Sequence, residues 1–193
     1  MELSKEDSQK FDLSFKVLLL GKASIGKTIL TSRLKSKNYI EFKKIKTSNY
    51  QPTVGFEFIS QDIKVNNKII RLQLWDCCGN EVYASLIQNF YRNSSAYILC
   101  YDSNDRNSFE KVKLDCIDLE KFRGECLYFL IRTKYELENK RKKDFVSDEE
   151  AIKFADENNA YFFHISSFEK NGTGIYELFT FIAARLIDNY NKS

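Results

Sequence analysis

No apolar run in this sequence approaches the roughly 20 residues needed to span a bilayer, no secretory leader opens it, and no repeat or low-complexity tract runs through it. Those absences set aside a membrane-spanning protein, a secreted one and a repeat array. An excess of one charge is missing too, since 30 Lys and Arg face 27 Asp and Glu. The short clusters Lys43-Lys44-Ile45-Lys46 and Lys140-Arg141-Lys142-Lys143 therefore read as solvated faces, not as a nucleic-acid footprint. Five cysteines, at 77, 78, 100, 116 and 126, form an odd set without metal-ligand spacing. Reduced thiols in a cytosolic protein are expected. His164, the single histidine, lies in the aromatic run Tyr161-Phe162-Phe163-His164-Ile165 and suits a core or edge position better than a general base.

What is present is enough apolar material for one buried core, 43% of 193 residues, so residues 1–193 are read as one domain, with 1–13 as a flexible polar extension. Strand-like runs fall at 15–20, 55–63, 69–75, 96–101, 126–131 and 161–165. Helical patterns fall at 28–37, 83–92, 108–122, 148–157 and 174–189. Val65-Asn66-Asn67-Lys68 reads as a hairpin turn, and the other connections pass through helices. The fold class expected is α/β, with a doubly wound, six-stranded, mostly parallel sheet, one antiparallel strand and helices on both faces. Ligands of such sheets sit beyond the carboxyl ends of the strands, which directs attention to 21–28, 76–81, 102–107, 132–137 and 166–172.

The first of these is Gly21-Lys22-Ala23-Ser24-Ile25-Gly26-Lys27-Thr28, a match to G-x-x-x-x-G-K-[ST] with a strand before it and a helix after it, which makes the expected α/β fold that of a P-loop NTPase. Gly21 and Gly26 allow successive N–H groups, including those of Ala23, Ser24 and Ile25, to turn inward around phosphate oxygens. The helix start adds its positive end. Lys27 would face the β and γ phosphates, and Thr28 would offer its hydroxyl to Mg²⁺. At the tip of the third strand Asp76 can hold Mg²⁺ through water.

Around Asp76 the run Trp75-Asp76-Cys77-Cys78-Gly79-Asn80-Glu81 resembles the W-D-T-A-G-Q-E of the Rab branch of Ras-superfamily small GTPases, departing at Cys77, Cys78 and Asn80. Gln51-Pro52-Thr53-Val54-Gly55-Phe56-Glu57-Phe58 resembles the switch I stretch T-I-G-x-x-F. Ser85 to Arg92 resembles S-L-I-x-x-Y-Y-R, and Tyr101 to Phe109 resembles Y-D-I-T-x-x-x-S-F. Together these cover roughly residues 13 to 185.

The resemblance implies that Thr53 closes on Mg²⁺ and the γ-phosphate, that Gly79 contacts the γ-phosphate, and that the residue at Asn80 orients the attacking water. It also implies a partner-binding triad at Phe58, Trp75 and Phe90, for which simple packing is the equal alternative. After the fifth strand the family's N-K-x-D is Thr133-Lys134-Tyr135-Glu136 here. Lys134 would lie over the base plane, and Glu136 keeps a bidentate acceptor for guanine about one methylene further out, which weakens the preference. The last base contact, S-A-K in the family, falls either on Ser166-Ser167 or on Phe168-Glu169-Lys170. The former follows its strand directly.

The function implied is a Rab-like GTP/GDP switch of vesicle trafficking, Mg²⁺-dependent and slow in hydrolysis because Asn80 is shorter than glutamine and Cys78 and Ala23 alter its surroundings. Its partners would be effectors, an exchange factor and an activating protein, whose arginine supplies a roughly 10³ to 10⁵-fold acceleration in the family. A GTP-bound interaction module with negligible hydrolysis is the alternative of a different class. A P-loop kinase or ATPase is opposed by the switch I stretch, by D-x-x-G and by the lack of an arginine-rich lid. The chain ends Asn189-Tyr190-Asn191-Lys192-Ser193 without a prenylatable cysteine, and Met1-Glu2 does not suit myristoylation. A cytoplasmic protein is expected, peripheral to endomembranes through a partner or through a tail outside this sequence.

Overall fold

The computed structural model describes residues 11–36, 53–79, 88–122, 126–134, 143–167 and 174–192. Six strands form one sheet: β1 (Leu13–Leu20), β2 (Phe56–Val65), β3 (Lys68–Cys77), β4 (Ala96–Asp102), β5 (Leu127–Thr133) and β6 (Ala160–His164). Their order across the sheet is β2-β3-β1-β4-β5-β6. Only β2 with β3 is antiparallel. Among the described residues the other pairs run parallel. The expected fold class is the observed one.

The central strands are legible as unbroken apolar runs because both of their faces are covered. In β1, Phe15, Val17 and Leu19 face one core while Leu18 and Leu20 face the other. In β4, Ala96, Ile98 and Cys100 are divided in the same way from Tyr97, Leu99 and Tyr101. Helix α1 (Lys27–Lys35) and helix α4 (Ile175–Tyr190) close the first core. In α4 the buried positions Ile175, Leu178, Phe179, Ile182, Ala183, Leu186 and Ile187 recur at helical spacing, a single apolar stripe. Helix α2 (Arg106–Glu120) and helix α3 (Asp148–Glu157) close the second core with Phe109, Val112, Cys116, Leu119, Ala151 and Ala155. Ser147 caps α3 by accepting the Glu150 N–H, and three acids fill the first turn.

Asn66 and Asn67 both take left-handed angles, φ 47° and 65°, which matches the twist of the β2–β3 hairpin. Several helix limits differ from expectation, α2 running over 106–120 instead of 108–122 and α4 over 175–190 instead of 174–189. Helix α1 stops at Lys35, because Ser36 is extended and turns its hydroxyl and its N–H back onto the Ser32 carbonyl at 2.8 and 3.2 Å. The helix expected over 83–92 is helical at Gln88 and then a turn through Asn93 (φ 59°), while 83–87 lie outside the described residues. Of the expected N-terminal extension, residues 1–10 lie outside them as well. Phe11 and Asp12 already touch β3, through the Arg71 guanidinium over the Phe11 ring and a 2.8 Å bond from the Asp12 N–H to the Ile69 carbonyl. None of the five cysteines is in a disulfide, and no described helix is long and apolar enough to cross a membrane.

Candidate nucleotide site

Because β1, β3, β4, β5 and β6 are mutually aligned, their carboxyl ends gather the strand-tip segments along one edge of the sheet. At the β1 tip the chain takes positive φ at Gly21 (128°), Ser24 (64°) and Gly26 (104°), curling the loop over the start of α1. Gly21 can be nothing larger, since a Cβ there would lie 2.3 Å from the Cys100 carbonyl oxygen. No side chain caps α1 and no acid occupies its first turn, which leaves its N–H groups and positive end directed into the loop. Ala23 and Ser24 are exposed, whereas the Ile25 side chain is in the core. Lys27 is buried, and its ammonium donates to the Gly21 and Lys22 carbonyls at 2.8 and 3.0 Å, which centres it in the loop. Burial lowers its pKa and the Asp76 carboxylate pulls it back up.

Beside Lys27 three oxygens converge from distant parts of the chain. The hydroxyls of Thr28 and Thr53 lie 2.9 Å apart, and Thr28 also donates to Oδ2 of Asp76. Asp76 is fully buried, and its Oδ1 has no hydrogen-bond partner among the described residues. Burial raises the Asp76 carboxyl to about pKa 6, against the opposing pull of the Thr28 hydroxyl and Lys27. A buried carboxylate oxygen without a donor is costly by itself. Two hydroxyls and a carboxylate form a hard oxygen set that fits Mg²⁺. Gly79 packs on the phosphate loop so closely that a Cβ would fall 2.2 Å from the Ala23 nitrogen, and the Cys78 N–H donates to the Gly55 carbonyl at 2.8 Å, joining the segment that follows β3 to the one that precedes β2. Asn80 lies outside the described residues.

The tips of β4, β5 and β6, where the base contacts were expected, are built differently. The Thr133 hydroxyl lies 2.7 Å from the Ile25 carbonyl and 3.0 Å from that of Tyr101, so Thr133 ties the β5 tip to the phosphate loop. Lys134 follows in the left-handed region (φ 57°) and its ammonium pairs with Asp102 Oδ2 at 2.9 Å. Arg132, fully buried, reaches the Ser103 hydroxyl at 3.0 Å and Asp148 at 2.8 Å. Ser166 and Ser167 are buried just beyond β6, on the same edge. Glu136 and the alternative trio Phe168-Glu169-Lys170 lie outside the described residues. His164 is exposed at the end of β6, an edge strand, as its run suggested.

On the β2–β3 face four rings touch in series. Phe58 meets Trp75 at 5.1 Å, Trp75 meets Phe90 at 5.1 Å, and Phe56 bridges both, 5.1 Å from Trp75 and 4.5 Å from Phe90. Phe58 is 49% exposed and Phe56 40%, more than packing alone requires. Phe56 was not singled out in the sequence, although the i, i+2 spacing of Phe56 and Phe58 in a strand places both rings on one face. The Lys16 ammonium anchors the group by donating to the Phe90 and Arg92 carbonyls at 2.7 and 3.0 Å.

A phosphate-type loop and a hard-oxygen cluster at the strand tips of one mostly parallel sheet narrow the choice of family, and the profile of the Ras family matches residues 16–188. The chain belongs to the Ras family. It is a Rab-like small GTPase. It is 34% identical to the putative ras-related protein Rab-5B of Dictyostelium discoideum over 97% of this chain and 82% of that protein. With Rab-1C of the same organism it shares 30% over 93% and 84%, and with the GTP-binding protein YPT1 of Saccharomyces cerevisiae 27% over 96% and 84%.

Proposed function

We propose that this small GTPase works as a GTP/GDP switch in vesicle trafficking, with slow, Mg²⁺-dependent hydrolysis and with the whole of 1–193 acting as one G domain. The observation that carries the reading is the convergence of Thr28, Thr53 and Asp76 beside Lys27. The peptide N–H groups from Gly21 to Thr28 would cradle the phosphates, while Lys27 offsets the charge that develops on the β and γ oxygens. Mg²⁺, held by the Thr28 and Thr53 hydroxyls with Asp76 behind, would neutralise charge on the same phosphates. Thr53 and Gly79 sense the γ-phosphate, so its loss would free both switch segments and alter the face formed by Phe56, Phe58, Trp75 and Phe90 that effectors read. Lys134, Glu136 and Ser166-Ser167 would face the base, with Thr133 positioning them, and Asn80 would orient the attacking water. Membrane contact would come through a partner or a lipid-bearing tail.

The test is the nucleotide that accompanies the purified protein, followed by single-turnover hydrolysis with excess Mg²⁺. Guanine nucleotide, with ATP failing to compete, and turnover below ordinary small-GTPase rates are expected. Turnover at ordinary rates would remove the slow step, and none above the uncatalysed background would leave the interaction-module reading.

A further inference from the structure

Asp102 closes β4 directly opposite Thr133, and its carboxylate is held at both oxygens. Oδ1 accepts the Asn104 N–H at 2.9 Å, and Oδ2 takes the Lys134 ammonium at 2.9 Å. The Asp102 side chain is only 10% exposed and that of Lys134 29%, so the pair is shielded from water on one side. Lys134 reaches it from a left-handed backbone (φ 57°) that a lysine adopts only when its surroundings hold it there. Three residues on, Asp105 pairs with Lys22 of the phosphate loop at 2.9 Å. The β4–α2 segment thus holds one lysine from each half of the candidate site. A lysine stem is flexible, and an untethered ammonium would follow solvent or the nearby phosphates.

We infer that Asp102 is a positioning residue for base recognition: its carboxylate engages the Lys134 ammonium and thereby lays the apolar stem of Lys134 across the β4–β5 tips as a platform for the flat face of the purine. The inference rests on the reading of Lys134 as a base-facing residue. Asp102 itself touches no reacting atom. Its loss should therefore shorten the residence of nucleotide without altering the phosphate end.

The experiment is the release rate of mant-labelled GDP from the full chain with Mg²⁺ present, for wild type, Asp102→Asn, Lys134→Met and the double variant. Asp102→Asn keeps the shape and an acceptor for the Asn104 N–H. It should quicken release roughly three- to tenfold, the scale of a half-shielded ion pair. On the Lys134→Met background the same change should add nothing, which loss of fold would not reproduce. Asp102→Glu, which keeps the charge, should hold release to within about twofold of wild type and gives a reading even if the Asn variant is unstable. Should Lys134→Met quicken release while Asp102→Asn does not, or should the two effects simply add, the positioning role is overturned although the base-facing reading stands. If Lys134→Met leaves release unchanged, the base-facing reading fails and the inference falls with it.

Discussion

The two ends of the site are built on different principles. At the phosphate end the groups that matter are backbone N–H donors in one continuous loop, joined by hydroxyls and a carboxylate that meet within hydrogen-bonding distance. At the end proposed to face the base the tips of β4 and β5 supply single side chains, held in place by the Asp102–Lys134 pair and the Thr133 bridge. A cradle of main-chain donors depends on φ and on glycine and tolerates few substitutions. A set of side chains braced by ion pairs can be altered one member at a time. Within the main-chain cradle G-x-x-x-x-G-K-[ST] is intact, while side-chain positions depart from the family pattern at both ends, with Thr133-Lys134-Tyr135-Glu136 for N-K-x-D and Cys77, Cys78 and Asn80 around Gly79.

The sharpest way to break the comparison is Gly21→Ala. With φ at 128° and the Cys100 carbonyl 2.3 Å from any added Cβ, the loop must move. A loss of about 3 kcal/mol or more in stability, with nucleotide binding lost alongside, is expected from a thermal melt and a binding titration. Tolerance of the change would show that the loop does not need this conformation.

At the opposite end, Glu136→Ala should lower affinity for GTP by about 2 to 3 kcal/mol and leave the weak affinity for ATP nearly unchanged, because the lost acceptor serves guanine alone. Equal losses for both nucleotides would point to disturbed folding instead of base reading.

Within the phosphate end, Thr28→Ala should weaken GDP and GTP alike by about 1 to 3 kcal/mol, whereas Thr53→Ala should weaken only the GTP state. Competition titrations with GDP and a non-hydrolysable GTP analogue decide it. A matching loss of GDP affinity in Thr53→Ala would remove Thr53 from switch I.

Asn80→Gln should raise single-turnover hydrolysis up to tenfold, about 1.4 kcal/mol of barrier, with GTP affinity unchanged. The paired change Cys78→Ala should make any gain clearer. No gain even in the double variant would end the account of slow turnover.

The smallest effect lies away from both ends, at the half-buried Asp62–Arg71 bridge of the hairpin, 2.8 Å at each contact. The Arg71 hydrogen bond holds the Asp62 carboxyl below its usual pKa. Its stabilisation is therefore present above the unfolded-state value near pH 4 and is lost as pH falls through the lower folded-state value. Arg71→Met should lower Tm slightly at pH 7, and the difference from wild type should close at pH values well below 4. A difference that persists there would assign it to lost packing on Phe11.

Much of this architecture could be read before folding, because its signals are local. Runs with both faces covered mark β1 and β4, the Asn66-Asn67 pair marks a hairpin, and glycine spacing marks the phosphate loop. The single stripe of α4 likewise appears within one segment. Phe58 and Trp75 could be named, but not the role of Phe56, since ring-to-ring contact depends on the β2–β3 register.

What the sequence by itself determined is the order of elements, the sheet's mostly parallel character and the loop able to hold a phosphate, all consequences of side-chain periodicity and backbone freedom over a few residues. Only the tertiary structure decided that Thr28 meets Thr53 and Asp76, 25 and 48 residues away, that Thr133 bonds Ile25 across 108, and that Asp102 takes the ammonium of Lys134. Those contacts carry no local signature. They arise because parallel strands bring their carboxyl ends to one edge of the sheet, where the polar groups left between buried layers must find one another or a ligand.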